Sequence, residues 1–259
     1  MTYVGHAAVL ITIADVAVLT DVILRRRVAF LRWRAPSPRL DAMRAAGTVL
    51  VSHLHRDHCD LPSLRLLGRD RALLVPDGSV PFFARHGFDN AVAMPPGRVR
   101  QVGALTVTAT PAVHDRRRQP LGAVGTAVGF VVAAHGRRVY FAGDTDLFPE
   151  MADIAPVDVA LVPVAGWGRS LGPGHLDPVR AAEAVQLLRP DVAVPIHWGT
   201  LRPFWHRSPA PSVNDAAARA FAAEVRRRGL PTSVAVLQPG ESLSSDDVGT
   251  RHPVRMEQT

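Results

Sequence analysis

The sequence predicts an α/β protein with mixed sheets and helices on the outside. Three features carry that reading. Short apolar runs punctuated by Gly, Pro and Asp recur along the chain, helical stretches fall between them, and hairpin-like pairs of runs occur early and in the middle. With 259 residues, 47% of them hydrophobic, the chain can bury a substantial core.

The elements follow in order. Strands are expected at Ala7 to Ile13, Val16 to Thr20, Thr48 to Val51 and Leu73 to Val75 in the first part of the chain. Further strands are expected at Leu105 to Thr110, Thr126 to Ala133, Arg138 to Ala142, Val157 to Pro163, Val192 to Ile196 and Ser233 to Leu237. Helices are expected at Leu61 to Leu67, Val80 to His86, Pro178 to Leu188 and Asn214 to Arg228. Pro178 suits a first helical position behind an Asp177 cap. Arg226 to Arg228 end the last helix, where cations meet the negative end of its dipole. No low-complexity linker divides residues 3 to 240, so residues 1–240 read as one domain, and the polar, unpatterned tail 241–259 is expected to be disordered.

Composition removes several function classes. The net charge of +7 would suit a nucleic-acid partner, but all 30 basic residues are arginine, a uniform bias that weakens the charge as evidence. Nucleic acid is therefore not the expected partner. The apolar run Thr126 to Ala134 is far short of the roughly 18 residues a membrane span needs. Met1 leads quickly into a strand-like segment without a charged leader, and a cytoplasmic setting is expected. The single cysteine, Cys59, rules out an intramolecular disulfide and reads as a small buried residue, so any metal would be held by imidazole and carboxylate.

Four apolar runs end in a potential metal ligand. Val49-Leu50-Val51 leads to His53, Val107 to Val113 leads to His114, Val139 to Gly143 leads to Asp144, and Val192 to Ile196 leads to His197. Ligands gather beyond the carboxyl ends of strands in α/β folds, so these four ends could converge. The stretch "HLHRDHCD" adds His55, Asp57 and His58; if it is locally extended, His53, His55 and Asp57 alternate while His58 points elsewhere, so one loop could feed two metals. Five imidazoles and two carboxylates suit zinc, manganese or iron better than calcium or magnesium.

His53-x-His55-x-Asp57-His58, His114, Gly143-Asp144-Thr145 and "PIHWGT" at 195–200 resemble the ordered ligand motifs of the metallo-β-lactamase superfamily. The likeness spans most of the chain. Gly5-His6, Leu19-Thr20-Asp21 and "GHLDPVRAAEAV" are similar to the branch containing ascorbate-phosphate lactonase and the phospholipase D that cleaves N-acyl-phosphatidylethanolamine, although Val22 stands where that branch often has proline. The resemblance implies a four-layer αββα sandwich with its site at one edge between the sheets. It also implies two divalent ions: His53, His55 and His114 on one, Asp57, His58 and His197 on the other, Asp144 bridging, and Asp21 supporting the motif loop.

Two such cations lower the pKa of water and polarise a bond, so hydrolysis of an ester, lactone or phosphodiester by a metal-bound hydroxide is the expected reaction, with Asp57 and Asp144 supplying the catalytic charge. Zinc is the first expectation, with manganese or iron as alternatives. A mononuclear iron dioxygenase of the persulfide-dioxygenase kind is the second path; His55, where the diiron flavoproteins typically carry Glu, argues against a third. A nuclease of the superfamily would need an arm for which no segment here is long enough. A non-catalytic metal protein does not fit a filled ligand set.

Other residues carry weaker expectations. His175 in "GPGHLDP" is a candidate proton donor or substrate ligand, the alternative being a solvated helix-entry residue. His6 is a candidate substrate contact or a strand histidine with an internal hydrogen bond. Trp167, Trp198, Phe204 and Trp205 are candidates for a pocket wall or for packing. His86, His135, His206 and His252 read as surface histidines. Arg25 to Arg27 and Arg116 to Arg118 leave the sheets on the metal side and would draw in a phosphorylated or carboxylated small molecule. Phe30 and Trp33 among Arg32 and Arg34 raise a lipid-derived substrate as an alternative, against the plain reading of solvated loops.

Overall fold

The structure, a computed structural model, describes residues 1–119, 122–167, 171–206 and 214–248. Two mixed sheets face each other. The first holds, in spatial order, Thr2–Gly5, Ala8–Ile13, Val16–Thr20, Thr48–Leu50, Ala72–Pro76 and Ala91–Met94; the first three strands meander antiparallel and the rest are parallel. The second runs Ser233–Val234, Val192–Ile196, Val159–Pro163, Arg137–Phe141, Val128–Ala134, Leu105–Pro111 and Val99–Val102, with parallel pairs at one end and antiparallel pairs at the other.

Period-two alternation sends each strand's side chains to two different cores. Leu50, Leu74 and Val18 point inward against Val107, Phe130 and Leu161 of the second sheet. Their neighbours Val49, Leu73 and Leu19 pack outward with Met43, Leu64 and Phe83. Helices Pro178–Leu188 and Ala216–Arg227 cover the other sheet through Ala181, Val185 and Phe221. The result is the expected αββα layering. Fully burying a side chain such as Phe83 or Phe221 stabilises by roughly 1.5–3 kcal/mol, so the two cores hold the strand ends rigidly.

Helix starts obey local chemistry. Asp60 accepts from Ser63 N at the head of Leu61–Leu67, and Asp177 accepts from Val179 N and Arg180 N at the head of Pro178–Leu188. A third, small sheet of Leu201–Pro203, Leu31–Trp33 and Arg27–Val28 was not legible, because strands of two or three residues show no period.

Two expectations are corrected. Residues 241–248 of the expected disordered tail are packed: Tyr3 N donates to Glu241 O, Leu243 N donates to Met1 O, and Leu243 and Val248 are buried. Residues 249–259, with His252, lie outside the described residues. The expected strand Ser233 to Leu237 keeps ladder pairing only over Ser233–Val234, because the chain then crosses to the Thr2–Tyr3 edge, where Gly240 N donates to Tyr3 O.

Candidate metal centre

Four strand ends and one turn meet at the edge between the sheets. After Thr48–Leu50 the chain does not stay extended: His58 N and Cys59 N both donate to His55 O, closing a turn that brings Asp57 and His58 to one side and leaves His53 and His55 on the other. Gly143 lets Asp144 arrive from the second sheet, since a Cβ there would sit 2.5 Å from Ser52 Cβ and the backbone is left-handed at φ 63°. His197 follows Val192–Ile196 and is also left-handed, at φ 63°.

The ligand candidates form two clusters. His53, His55 and His114 converge in one, with His55 Nδ1 3.0 Å from His114 Nε2. Asp57, His58 and His197 converge in the other, with the two Nε2 atoms 3.0 Å apart. Asp144 Oδ2 stands between them, 3.2 Å from His58 Nε2, 3.3 Å from His197 Nε2 and 4.0 Å from His53 Nε2.

Hydrogen bonds behind the rings decide which nitrogen faces inward. His197 Nδ1 is 2.7 Å from Ala165 O, and His114 Nδ1 is 2.7 Å from Gly174 O, so each Nδ1 carries the proton and each Nε2 presents a lone pair. Buried Asp21 does the same for the motif loop: Oδ2 accepts from His58 Nδ1 at 2.7 Å and from Ser52 Oγ, while Oδ1 accepts from Ser52 N. Ser52 Oγ, committed as a donor to Asp21, accepts from His53 Nδ1 at 3.0 Å, which turns His53 Nε2 inward. Among the described residues, that buried Nε2 and Asp144 Oδ1 have no hydrogen-bond partner. Buried imidazole nitrogens and carboxylate oxygens that face one another call for positive charge between them, so the donor set fits transition-metal ions.

Charge divides the clusters in the metal-free protein. Burial, with His58 and His114 beside it, holds His53 well below its ordinary range; burial lowers His55, and takes His114 to about 4 despite partial compensation from Asp144. Burial opposes charge at His58 too, but the carboxylates of Asp144 and Asp57 outweigh it and raise His58 well above its ordinary value. His197 is raised as well, Asp144 and Asp57 outweighing burial. Against the cost of burial, the neighbouring imidazoles keep Asp57 and Asp144 well below the usual carboxylate range. At Asp21 burial wins and the value is raised.

A cavity of about 510 Å³ opens on this centre. Its floor is His55, Asp57, Asp144, His175 and His197; one wall is apolar, with Phe30, Leu31, Trp167 and Leu171; the other carries Arg56, Arg118 and Gln119. Phe30 and Trp167 meet edge to face at 4.9 Å. His175 Nε2 lies 3.6 Å from Asp144 Oδ2 and its Nδ1 3.1 Å from Pro173 O.

Several expected contacts are elsewhere. Trp198, expected at the pocket wall, is buried instead: its ring stacks on Tyr3 at 5.9 Å and its Nε1 donates to Pro195 O. His6, a candidate for substrate contact or for an internal hydrogen bond, takes the second place: it is 2% exposed in the turn after Thr2–Gly5, 3.2 Å from Asp57 Oδ2, and does not line the cavity. Trp33 is buried over Gly5 and cannot meet a lipid surface, whereas Phe204 and Trp205 are exposed beyond Phe30. Arg25 is neutralised by a bidentate bond to Asp60, and Arg118 Nη1 braces the motif turn through Leu54 O and Cys59 O. Arg56, inside the motif itself, was overlooked; its place between two ligands was the available signal.

Residues 17–198 match the β-lactamase superfamily domain. The chain is 32% identical over 249 residues to a UPF0173 metal-dependent hydrolase of Methanopyrus kandleri, covering 93% of this chain and 98% of that protein. It belongs to this metallo-β-lactamase-superfamily group of metal-dependent hydrolases. A UPF0173 relative from Opitutus terrae is 34% identical over 255 residues, with 94% and 98% coverage. Among solved structures, the metallo hydrolase Igni18 of Ignicoccus hospitalis shares 26% identity at a TM-score of 0.69, with 93% and 96% of the two chains covered. The family has the metallo-β-lactamase fold and is metal-dependent, in agreement with the sandwich and the donor set. Among the described residues, no helix is long and apolar enough to cross a membrane.

Proposed function

We propose that this chain hydrolyses an ester, lactone or phosphodiester of a small anionic molecule at a centre of two divalent ions, zinc or manganese. His53, His55 and His114 would hold one ion and Asp57, His58 and His197 the other, with Asp144 shared between them. The observation that carries this reading is a single oxygen, Asp144 Oδ2, facing imidazole nitrogens of both clusters at the floor of a cavity. When bound, the two ions supply an activated water and polarise the bond it attacks.

The chain supplies the rest. Asp21 and the carbonyls of Ala165 and Gly174 fix the imidazoles so that no reorientation is needed during turnover. Asp57 and Asp144, held ionised, offset the charge of the ions. His175 is the one histidine of the floor whose Nε2 faces Asp144 without joining either cluster of three, and in its protonated form it gives a proton to the leaving group. Phe30, Trp167 and Leu171 exclude water from the apolar part of the substrate, while Arg56 and Arg118 attract its anionic part. The likeness to the lactonase and phospholipase D branch sets the first panel: a phosphorylated lactone, a phosphodiester and a simple ester, each with and without chelator. Two ions per chain and chelator-sensitive turnover are expected. One iron with no second metal would favour the dioxygenase chemistry, and no bound metal would overturn both.

A further inference from the structure

We infer that His6 is a further metal ligand, joining Asp57, His58 and His197 on the buried side of the centre. The inference rests on the dinuclear reading above and adds to it an eighth protein ligand.

The geometry is that of one cage. His6 Nε2 lies 3.2 Å from Asp57 Oδ2; His58 Nε2 and His197 Nε2 lie 3.0 Å from each other and 3.7 Å each from that same oxygen. All four donor atoms fall within 4.8 Å of one another. Ligands bonded to one tetrahedral zinc at 2.0–2.2 Å stand about 3.3 Å apart, so this spacing surrounds a single ion. The His6 and His197 ring centroids are 4.0 Å apart, so the two imidazoles stand side by side next to Asp57. All four residues are buried, whereas His55 and His114 in the other cluster are partly exposed.

The backbone is built to aim this ring. His6 is left-handed at φ 56°, a conformation that costs a non-glycine residue energy and persists where its surroundings hold it. Here His6 N donates to Thr200 Oγ1 at 3.1 Å, His6 O accepts from His197 N at 2.7 Å, and Tyr3 Oη donates to the same carbonyl. The preceding Gly5, at φ 130°, has no room for a side chain: a Cβ would sit 2.9 Å from the Trp33 ring. The turn therefore ties His6 to His197, its partner across the cage.

The test is metal binding, read without substrate. Wild type, His6→Asn and His6→Gln are stripped with chelator, compared by circular dichroism, and titrated with cobalt(II) and zinc by equilibrium dialysis and visible absorption. Asparagine tolerates the left-handed backbone but is too short to reach the ion; glutamine keeps an N–H that can still bond Asp57. Both variants should fold, bind the first ion as wild type does, and bind the second more weakly by over the roughly 10- to 100-fold typical of an outer orienting residue, with a changed cobalt spectrum. Wild-type affinity for both ions in His6→Gln would overturn the assignment and leave His6 as a hydrogen-bond brace for Asp57. If wild type takes only one ion, the dinuclear reading falls separately, and the His6 assignment stands or falls on whether the variants weaken that ion.

Discussion

The two histidine clusters of the centre are fed by one turn, yet they differ in access and in charge. His55 and His114 are partly exposed and, with buried His53, hold their imidazoles below the ordinary value; His58 and His197 are buried and are raised. The difference comes from the carboxylates. Asp57 and Asp144 sit within 3.7 Å of His58 Nε2 and His197 Nε2, whereas His53 Nε2 is 4.0 Å from Asp144 and is crowded by other imidazoles. Identical side chains a few residues apart are thus shifted in opposite directions, because electrostatic neighbours outrank residue type.

The strongest way to break this comparison is to remove the group both halves share. Asp144→Asn keeps the shape but deletes the charge, and kcat/KM on any substrate found in the panel should fall by more than the roughly 10- to 100-fold typical of an outer ligand-orienting residue. Metal-free thermal unfolding of this variant is expected to stay close to wild type. Wild-type turnover would remove Asp144 from the centre.

Substitutions on either side should then separate the halves. His197→Ala should weaken the ion of the Asp57, His58 and His197 cluster and His114→Ala that of the His53, His55 and His114 cluster, each by at least about ten-fold, read by dialysis and elemental analysis. Equal loss of both ions in both variants would show a single site.

Protons sharpen the contrast further. In the metal-free protein His114 falls from 6.5 to about 4 on folding, so its contribution to stability is complete above pH 6.5 and is lost as pH falls toward 4. His58 and His197 run the other way: their contribution is complete below the ordinary histidine value and is lost as pH rises through their raised ones. Loading the Asp57, His58 and His197 cluster near pH 7 should therefore release more protons than loading the His53, His55 and His114 cluster. Calorimetric titration of His114→Ala and His197→Ala in buffers of different ionisation heat checks this; equal proton release would erase the charge difference.

The smallest expected effect lies at the rim. Arg56→Gln should lower kcat/KM for an anionic substrate a few-fold at low salt, leave a neutral one unchanged, and flatten the salt dependence. An unchanged salt slope would leave Arg56 as a solvated surface residue.

Much of this molecule was readable along the chain. The long strands and the helices Leu61–Leu67 and Pro178–Leu188 fell where apolar period and caps placed them, since burial on one or both faces writes itself into spacing. The seven candidate ligands were legible because strand ends and a crowded turn leave a local mark, and the structure gathers all seven at one edge. The hairpin Arg27–Trp33 that walls the cavity was not, being too short for periodicity and held by Leu201–Pro203 from far along the chain.

The sequence by itself determined the sandwich class, the donor types and the absence of thiolate ligands. Tertiary structure alone decided direction and company: that Trp198 turns into the core onto Tyr3 while Trp167 faces the cavity, and that His6 meets Asp57 across 51 positions. It also decided that His58 is shifted up and His114 down from the same ordinary value. Residue type and spacing are properties of a short window, whereas packing partners and local fields arise from long-range contacts that exist only after the two sheets have closed on each other.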